Sequence, residues 1–402
     1  MPATCGTSGV PPDPYQSTNI DGKFITMKTD FVWYTPFCEN YTNALVNSNA
    51  PSVQYTGNYN LNEDFVLSPN QNVIFQNCSL AIAAGKQIRV QAGAQLILNN
   101  CVLFSCGAMW QGIINEGGVV TITATPNSIA KISDAVEAIR SDNGFEVDAT
   151  SVIFSNNYVG ISLNEGNYST SDIIGCSFNP TSASEILKIP YNQTRTFAGI
   201  QLNSVSEFQL GSLTSTVFNP RNIFQYANYG VYSLNSDITF ESNLFTDLMP
   251  GIDHCIDCGT GIYSEVNDGM THSILIAGGT GSVTKNNFNV DVSHGIISNG
   301  PINLTITECI FNGNNYNSIK ITKNRNSIVS IENNDFLNAG EKGISMYSNA
   351  SCDFNILNNR FTNVITGIFA QNYAKCDVKI GDNILTTQAS QMFLTPASTI
   401  QP

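Results

Sequence analysis

A short segment rich in histidine, cysteine and aspartate is the part of this 402-residue chain whose side chains could bind a metal. His254 belongs to the run Asp253-His-Cys-Ile-Asp-Cys258, and His272 and His294 follow it. Cysteine, histidine and aspartate are all zinc ligands, but a structural zinc site normally needs a second Cys or His pair at a defined spacing. The sequence has no such pair, so we predict no metal and no cofactor. A disulfide between Cys255 and Cys258, or two reduced thiols, is the alternative.

The elements that position these residues belong to a repeat that covers most of the chain. One copy reads Val329-Ser-Ile-Glu-Asn-Asn-Asp-Phe336, and after a polar turn it continues Gly343-Ile-Ser-Met346; the next copy reads Phe354-Asn-Ile-Leu-Asn-Asn-Arg-Phe361, followed by Gly367-Ile368. Apolar residues alternate as the two-residue period of a strand requires, which predicts three short strands per copy. We therefore predict an all-β fold, a right-handed parallel β-helix of about twelve coils.

A large side chain that begins the second strand serves as the anchor of each coil. Most successive anchors are separated by 21 to 26 residues, and two spacings are roughly double. The predicted anchors are Leu80, Leu103, Ile129, Phe154, Phe178, Phe224, Phe245, Phe288, Phe311, Phe336, Phe361 and Leu385.

An asparagine two residues before the anchor is the second mark of the repeat. Asparagine tolerates the left-handed backbone conformation of a tight turn. Stacked coils would place these amides above one another every ~4.8 Å, as a ladder. On this register lie Asn127, Asn222, Asn243, Asn286, Asn334, Asn359 and Asn383, with Cys78, Cys101, Cys176 and Cys309 as buried substitutes.

Two further cysteine pairs are candidates for disulfide bonds. Cys352 and Cys376 each lie nine residues before an anchor, so their Cα atoms should be about 4.8 Å apart, which suits a disulfide or a reduced, stacked pair. Cys5 and Cys38 lie in an irregular N-terminal region that a disulfide could stabilise. We divide the chain into an N-terminal cap (1–60), the β-helix (61–390) and a C-terminal tail (391–402).

Charge and cysteine content limit the location and the partners of the chain. Its formal net charge is −14, from 17 basic and 31 acidic residues, so binding to nucleic acid is not expected. No run of 18 apolar residues occurs, so we expect no membrane insertion. The residues after Met1 lack the pattern of a signal peptide, which is typical of a cytosolic protein or of a mature fragment. Eleven cysteines favour a secreted or cell-surface protein.

The repeat resembles the pectin-lyase-like right-handed β-helices over roughly residues 60–390. A narrower resemblance rests on Ala84-Gly-Lys-Gln-Ile-Arg-Val-Gln-Ala-Gly-Ala-Gln-Leu96 and Cys106-Gly-Ala-Met-Trp-Gln-Gly-Ile113. These stretches are similar to large surface proteins that gliding bacteria export through the type IX pathway. That resemblance implies a place on the cell surface and further domains in a longer parent chain, including a C-terminal sorting domain that we do not find in this sequence.

The same resemblance directs attention to the outward side of the Gly-Ile strand, which is the working surface of polysaccharide lyases and hydrolases with this fold. A glycosidase needs at least two carboxylates, and a calcium-dependent lyase needs clustered carboxylates and a base. Glu137 is the one carboxylate we predict on this side, so we assign no catalytic residue. The predicted outward residues are Glu137, Ser162, Asn164, Gln201, Asn203, Tyr232, Tyr263, Lys320, Ser345, Tyr347, Phe369 and Gln371.

The two doubled spacings place insertions at residues 179–198 and 246–270, in the same turn and two coils apart. They would form two walls of a groove, although tolerated surface insertions are an equal alternative. The predicted binding residues are Gln201, Asn203 and Tyr232 on the floor, and Asp253, His254 and Tyr263 on or beside one wall.

Three functions agree with these features. The first is a surface scaffold that binds a polysaccharide or another cell-surface ligand without catalysis, because amides and aromatic rings suit sugars. The second is a polysaccharide lyase or glycoside hydrolase that uses the groove. The third is a structural stalk or adhesin segment.

Overall fold

In the computed structural model the described part of the chain contains strands and no helix. No segment of it therefore forms a helix that is long and apolar enough to cross a bilayer. All strand pairs are parallel except one antiparallel hairpin near the N-terminus, Ser17–Ile20 with Lys23–Thr26. Side chains are described for residues 38–179, 187–192, 194–212, 221–248, 257–279, 285–372 and 374–386, and the backbone alone for Ser17–Ile20, Lys23–Thr26 and Phe393–Thr395.

The parallel strands form three sheets that run the length of a parallel β-helix of about twelve coils. We call them the first, second and third sheets in the order in which each coil meets them. Two long strands, Ser52–Leu61 and Asn72–Ile82, belong to both the first and the second sheet. The predicted fold is confirmed, with three strands per coil.

Most of the remaining strands are short because each spans only one side of a coil, and Val159–Asn167 and Thr196–Ser206 are longer, with 9 and 11 residues. The first sheet contains Gln95–Asn99, Val119–Thr123, Val147–Thr150, Ile173–Ile174, Phe208–Leu210, Ile238–Glu241, His272–Ala277, Ile302–Thr307, Ile328–Glu332, Asp353–Leu357 and Asp377–Gly381. The second sheet contains Val102–Ser105, Ala130–Ser133, Val152–Ser155, Ser177–Phe178, Asn222–Phe224, Asn243–Phe245, Asn287–Phe288, Ile310–Asn312, Asp335–Leu337, Arg360–Thr362 and Ile384–Thr386. The third sheet contains Phe65–Leu67, Gln87–Val90, Gly112–Asn115, Glu137–Asp142, Val159–Asn167, Thr196–Ser206, Ala227–Leu234, Thr260–Glu265, His294–Asn299, Asn317–Thr322, Lys342–Tyr347, Thr366–Gln371 and Phe393–Thr395.

The strand bounds differ from the predicted divisions at both ends of the β-helix. Ser52–Leu61 already pairs with the following coil, so the coils begin before residue 61. Phe393–Thr395 pairs with Thr366–Gln371, so the third sheet extends into the segment predicted as a tail.

A column of phenylalanine rings fills the core beside the second sheet. Neighbouring rings are parallel, with centroids separated by 4.6 to 5.0 Å. The glycine of the Gly-Ile strand makes room for these rings, because a Cβ on Gly230 would lie 2.6 Å from the ring of Phe245. The column consists of Phe154, Phe178, Phe224, Phe245, Phe288, Phe311, Phe336 and Phe361, all predicted anchors.

Two predicted anchors differ from this pattern. The side chain of Ile129 is 59% exposed, and Ile132 instead pairs with Leu103 and Phe154. The prediction for Ile129 is therefore wrong, because its segment belongs to a turn that ends where strand Ala130–Ser133 begins. Leu385 keeps the register of Phe361 but is 53% exposed.

The predicted amide ladder lies inside the corner between the first and second sheets. The amide of Asn334 accepts a hydrogen bond from Cys309 N–H (2.9 Å) and donates to Ile306 C=O (3.0 Å) and to the Asn359 side chain (3.0 Å). Asn359 continues the ladder by donating to Asn383 (3.1 Å). The ladder therefore supplies partners for backbone groups that would otherwise be buried without one. Asn222, Asn243 and Asn286 form a second run of the same kind.

The left-handed residue of this corner is the one before the ladder asparagine. Asn333 has φ 57°, Asn358 has φ 55° and Asp382 has φ 53°. The ladder amides themselves serve as hydrogen-bonding groups, which corrects the role predicted for them. Asn127 is also left-handed (φ 68°), but it lies in the turn before strand Ala130–Ser133 and does not belong to the ladder.

A second amide ladder, which we did not predict, lies on the outside of the corner between the second and third sheets. Asn312 donates to Asn289 (3.2 Å), Asn338 to Asn312 (3.1 Å) and Asn363 to Asn338 (3.1 Å). Asn338 and Asn363 are exposed. The same residue type therefore forms one buried ladder and one solvated ladder in the same coils.

The state of the cysteines differs from one predicted disulfide and distinguishes the two alternatives for a second pair. Cys38 forms a disulfide with Cys106, with Cα atoms 5.5 Å apart, so the predicted pair with Cys5 is wrong. The bond joins the cap to the end of strand Val102–Ser105. Cys352 and Cys376 are free, which corresponds to the reduced, stacked alternative. Cys258 is disulfide-bonded, and both Cys5 and Cys255 lie outside the described residues.

Burial should control the reactivity of the free thiols. Burial raises the pKa of Cys176 to about 12 and also raises the pKa of Cys309, whereas the half-buried Cys376 is closer to solvent. Because the thiolate is the reactive form, iodoacetamide at mildly alkaline pH should label Cys376 in the native protein and leave Cys176 and Cys309 unlabelled until denaturation. Peptide mass spectrometry measures this order. Labelling of native Cys309 at the rate of Cys376 would contradict a closed core.

Candidate functional site

The outward side of the third sheet brings together the predicted binding residues that the structure describes. Gln201 pairs with Tyr232, and Tyr232 pairs with Tyr263, so the three form one row across adjacent coils. Asn203 lies two residues further along its strand, in the next outward row, which Glu265 also joins. The two-residue period of the strands places these side chains on one side. Asp253 and His254 lie outside the described residues.

Four aromatic side chains on this side contact one another, and we call them the aromatic face: Phe197, Tyr229, Tyr232 and Tyr263. Their neighbouring ring centroids are 5.2 to 5.4 Å apart. Phe197 also stacks on Tyr158, with ring centroids 5.7 Å apart. Tyr229 is buried beneath the others and packs with Cys258, and the other three rings are half-buried. An outward strand position is usually polar, so this face is an apolar patch on the exterior of the β-helix.

The aromatic rings of this face pack against one another, so that their faces contact neighbouring rings and their edges point to solvent. Tyr232 and Tyr263 are parallel within 2°, with centroids 5.2 Å apart, so each covers one face of the other. Phe197 lies 5.2 Å from Tyr232 at a tilt of 54°. The faces of Tyr232 are therefore largely occupied by protein. A ligand would meet ring edges and hydroxyl groups, and not the flat ring faces on which we expected a sugar to stack.

Burial sets the protonation of the tyrosines. Burial, together with the nearby charge of Asp257, raises the pKa of Tyr229 to about 12. Burial and the carboxylate of Glu265 raise the pKa of Tyr263, whose hydroxyl donates to Glu265 Oε2 at 3.2 Å. Burial also raises the pKa of Tyr232. The phenols therefore remain protonated at neutral pH and can donate hydrogen bonds.

The described part of the first insertion lies toward the N-terminal coils. Lys188 Nζ is 2.9 Å from Asp134 Oδ2 and also donates to the Ser105 carbonyl. The ring of Tyr191 stacks on Tyr158, with centroids 3.8 Å apart. The described residues of this segment therefore cover the coils that precede Gln201, and Tyr158 connects them to the aromatic face, because its ring lies 5.7 Å from that of Phe197.

The described end of the second insertion lies toward the C-terminal coils. Asp257 Oδ1 is 2.9 Å from Nζ of Lys320, and Lys320 follows Tyr263 by two coils in the same outward row. The described ends of the two insertions therefore reach the aromatic face from opposite directions along the helix axis. Tyr191 reaches it through Tyr158 and Phe197, and Cys258 packs on Tyr229.

Other predicted outward residues also need correction. Ser162 and Ser345 lie in the predicted row but are buried, and the hydroxyl of Ser345 donates to the Ile319 carbonyl at 3.2 Å. Glu137 is not the only carboxylate on this side. Asp142 and Glu265 occupy the outward row of Asn164 and Asn203, so the same repeat position could have identified them.

Three carboxylates that we did not predict as a site lie along the first sheet. Glu146 and Asp148 are hydrogen-bonded to each other, and burial is the largest cause that raises the pKa of both. Asp172 donates its N–H to Asp148 Oδ1 (3.1 Å) and its charge raises both pKa values further. The alternation Glu146-Val-Asp148-Ala was a signal in the sequence. Among the described residues, no group of His, Cys, Asp and Glu is placed to hold a metal ion.

The two described histidines have separate surroundings. Burial and the charge of Lys320 lower the pKa of His294 to about 4, so its ring is neutral at neutral pH. His272 lies on the first sheet, between the carboxylates of Asp237 and Asp268. Neither histidine contacts the aromatic face through a described hydrogen bond.

Comparison with known proteins identifies no family: no family model and no curated protein matches the chain. Among solved structures, the chain is similar to the crystal structure of PfbA, a surface adhesin of Streptococcus pneumoniae, with a TM-score of 0.33, 10% identity and coverage of 82% of this chain and 85% of that chain. A second structure of that surface protein and adhesin has a TM-score of 0.27 and 12% identity, and the match covers 84% of this chain and 92% of that chain. At this level the similarity carries no argument about ligand or activity. The parallel β-helix is established by the strand pairing, and type IX export remains a prediction.

Proposed function

We propose that this chain is the scaffold of an extracellular or cell-surface protein and that it binds a glycan at the aromatic face without cleaving it. The observation that carries the proposal is the group of half-buried rings of Phe197, Tyr232 and Tyr263 on the outside of the β-helix, next to the described ends of two insertions. The disulfide between Cys38 and Cys106 supports a location in an oxidising compartment.

Hydrogen bonding is the main means by which this face would hold a sugar. The tyrosine hydroxyls donate and accept, and the amides of Gln201 and Asn203 lie next to them, so they can match the hydroxyl groups of a glycan. Ring edges supply apolar contact at low entropic cost because the rings already support one another.

The carboxylates beside the aromatic face are engaged in other bonds, which disfavours cleavage there. Glu265 accepts a hydrogen bond from Tyr263, and Asp257 is paired with Lys320. Glycoside hydrolysis needs one carboxyl group as acid and a second as base or nucleophile on the scissile bond. We therefore expect a bound polymer to remain intact.

Replacing Tyr232 tests whether the aromatic face binds a glycan. We expect Tyr232→Ala to weaken retention of the protein in a polysaccharide affinity gel by about tenfold, which corresponds to about 1.4 kcal/mol. Tyr232→Phe keeps the stacked ring and removes only the hydroxyl, so it should also weaken retention if hydrogen bonding dominates. Tyr347→Ala is the matched control, because Tyr347 lies on the same side of the same sheet, away from the aromatic face.

Retention of the control variant and of the parent protein shows whether the proposal holds. Retention that Tyr347→Ala reduces as much as Tyr232→Ala would show a general loss of structure. A parent protein that no polysaccharide gel retains would contradict the proposal and leave the structural stalk as the better explanation.

A second candidate function, polysaccharide cleavage, is favoured by the carboxylates of the first sheet. Glu146 and Asp148 share a hydrogen bond and have raised pKa values, which suits a pair in which one carboxyl group is protonated and the other is charged. A reducing-end assay on the same samples separates the two functions. New chain ends that disappear in Asp148→Asn would establish the enzyme and contradict binding without cleavage.

A further inference from the structure

A hollow of about 370 Å³ lies on the outward side of the first sheet, away from the aromatic face. It falls in the size range of sites for small ligands. We call it the first-sheet hollow. Its outward-pointing lining includes Glu207, Asp237, Thr239, Ser273, Leu275 and Thr305.

The register of the coils explains how these side chains come together. Thr239 pairs with Leu275, and Leu275 pairs with Thr305, so the three follow one another at the coil spacing of ~4.8 Å. Leu275 is 37% exposed, between two hydroxyl groups. Leu275 can therefore contact the apolar C–H side of a sugar ring, and the hydroxyl groups of Thr239 and Thr305 on either side of it can bond to the hydroxyl groups of the sugar.

The carboxylate of Asp237 is held in place at the edge of this hollow. Its Oδ1 accepts the N–H of Ser273 at 2.6 Å, and its Oδ2 lies 3.2 Å from Nδ1 of His272. The other ring nitrogen of His272 lies 3.0 Å from Asp268, which fixes the ring. The side chain of Asp237 is 40% exposed, so its carboxylate is open to a ligand and has lone pairs beyond these two contacts. A ligand hydroxyl would therefore meet an acceptor that needs no rearrangement.

The charge of the hollow selects among ligands. Glu207 and Asp237 line it, and Glu241 is the last residue of the strand that carries Thr239 and accepts a hydrogen bond from Gln209. A polymer with carboxylate or sulfate groups would be repelled by these side chains. Hydroxyl and amino groups would instead be attracted, because they donate hydrogen bonds to carboxylates.

We propose that the first-sheet hollow is a binding site for an oligosaccharide that carries no acidic group. The site is separate from the aromatic face and does not depend on its function. It would hold the apolar side of a sugar ring on Leu275 and the hydroxyl or amino groups on Asp237, Thr239 and Thr305.

Calorimetric titration of the whole chain tests the site. The probes are neutral hexasaccharides of β-1,4-glucan, β-1,3-glucan and β-1,4-mannan, a hexamer of β-1,4-linked glucosamine, and an acidic hexauronate. We expect at least one of the first four to bind and the hexauronate not to bind. Leu275→Arg fills the hollow from an exposed position and should weaken that binding at least tenfold. Asn355→Arg is the matched control, because Asn355 lies two coils beyond Thr305 in the same outward row.

The remaining variants separate this site from the aromatic face and identify the group that is held. A probe whose binding is weakened by Leu275→Arg and not by Tyr232→Ala is assigned to the hollow, and the opposite pattern assigns it to the aromatic face, so failure of either site can be recognised independently. A preference for the glucosamine hexamer that is lost in Asp237→Asn would show that an amino group is bound, whereas neutral binding that survives in Asp237→Asn with reduced affinity would show hydroxyl groups. The inference is overturned if none of the four probes binds, if the hexauronate binds as tightly, or if Leu275→Arg and Asn355→Arg behave alike.

Discussion

Replacing Phe336 with alanine is expected to lower the free energy of unfolding by about 3–5 kcal/mol. Phe336 has no exposed surface, and its ring lies between those of Phe311 at 4.9 Å and Phe361 at 4.7 Å. Its loss leaves a cavity in the column of rings, which the neighbouring coils cannot close because their own hydrogen bonds fix the spacing between strands. Denaturant unfolding followed by far-ultraviolet circular dichroism measures the change.

Leu337→Ala is the control for this prediction, because Leu337 follows Phe336 in the same strand and points to the outside. It removes a similar apolar side chain at a half-buried position and should cost much less. A loss below about 1 kcal/mol for Phe336→Ala would show that the column of rings does not support the fold.

The second large effect is expected from Asn334→Ala, which removes the amide from the inner ladder. The change would leave Cys309 N–H and Ile306 C=O buried without their partners, and each unsatisfied group costs about 1–3 kcal/mol. We expect a loss of stability close to that of Phe336→Ala, although much less apolar surface is removed. The same denaturant unfolding experiment measures it.

Asn338→Gly is the matched control, because Asn338 belongs to the outer ladder of the same coil and has a left-handed backbone (φ 54°), which glycine adopts without strain and alanine does not. Its amide donates to Asn312 and accepts from Asn363, and it is exposed to water. Water can replace these bonds, so the change should stay within about 0.5 kcal/mol. Equal losses for Asn334→Ala and Asn338→Gly would contradict the distinction between a buried ladder and a solvated one.

Much of the fold could be predicted because the same core position recurs in every coil. A phenylalanine such as Phe336, with Asn334 two residues before it, has the same neighbours in the copies above and below. Ile129 was predicted wrongly because Asn127-Ser-Ile129 has the spacing of the repeat but lies in a turn. Only the pairing of Ile132 with Leu103 and Phe154 distinguishes the true position. Turn length is not encoded in the pattern of the strands.

The positions of the candidate site residues were predictable where they depend only on the pairing register of the strands. Gln201, Tyr232 and Tyr263 share a row because each follows Gly-Ile or Gly-Val by the same spacing. The upright stacking of the rings was not predictable, since it depends on side-chain rotation. The course of the two insertions and the bond between Cys38 and Cys106 were also missed, because they join segments that are distant in sequence and have no repeat to compare.

The column of phenylalanine rings has a consequence for how chains of this kind can change length. Each ring contacts only the rings of the two adjacent coils, and both insertions leave the column without interrupting it, as Phe178 still stacks on Phe224 and Phe245 on Phe288. Contacts between nearest neighbours make stability approximately a sum over repeats. A duplication or deletion of one whole coil, for example from Phe336 to just before Phe361, would therefore join equivalent surfaces. Evolution could lengthen or shorten this β-helix one coil at a time, and so change the distance between its two ends while each remaining coil keeps its structure.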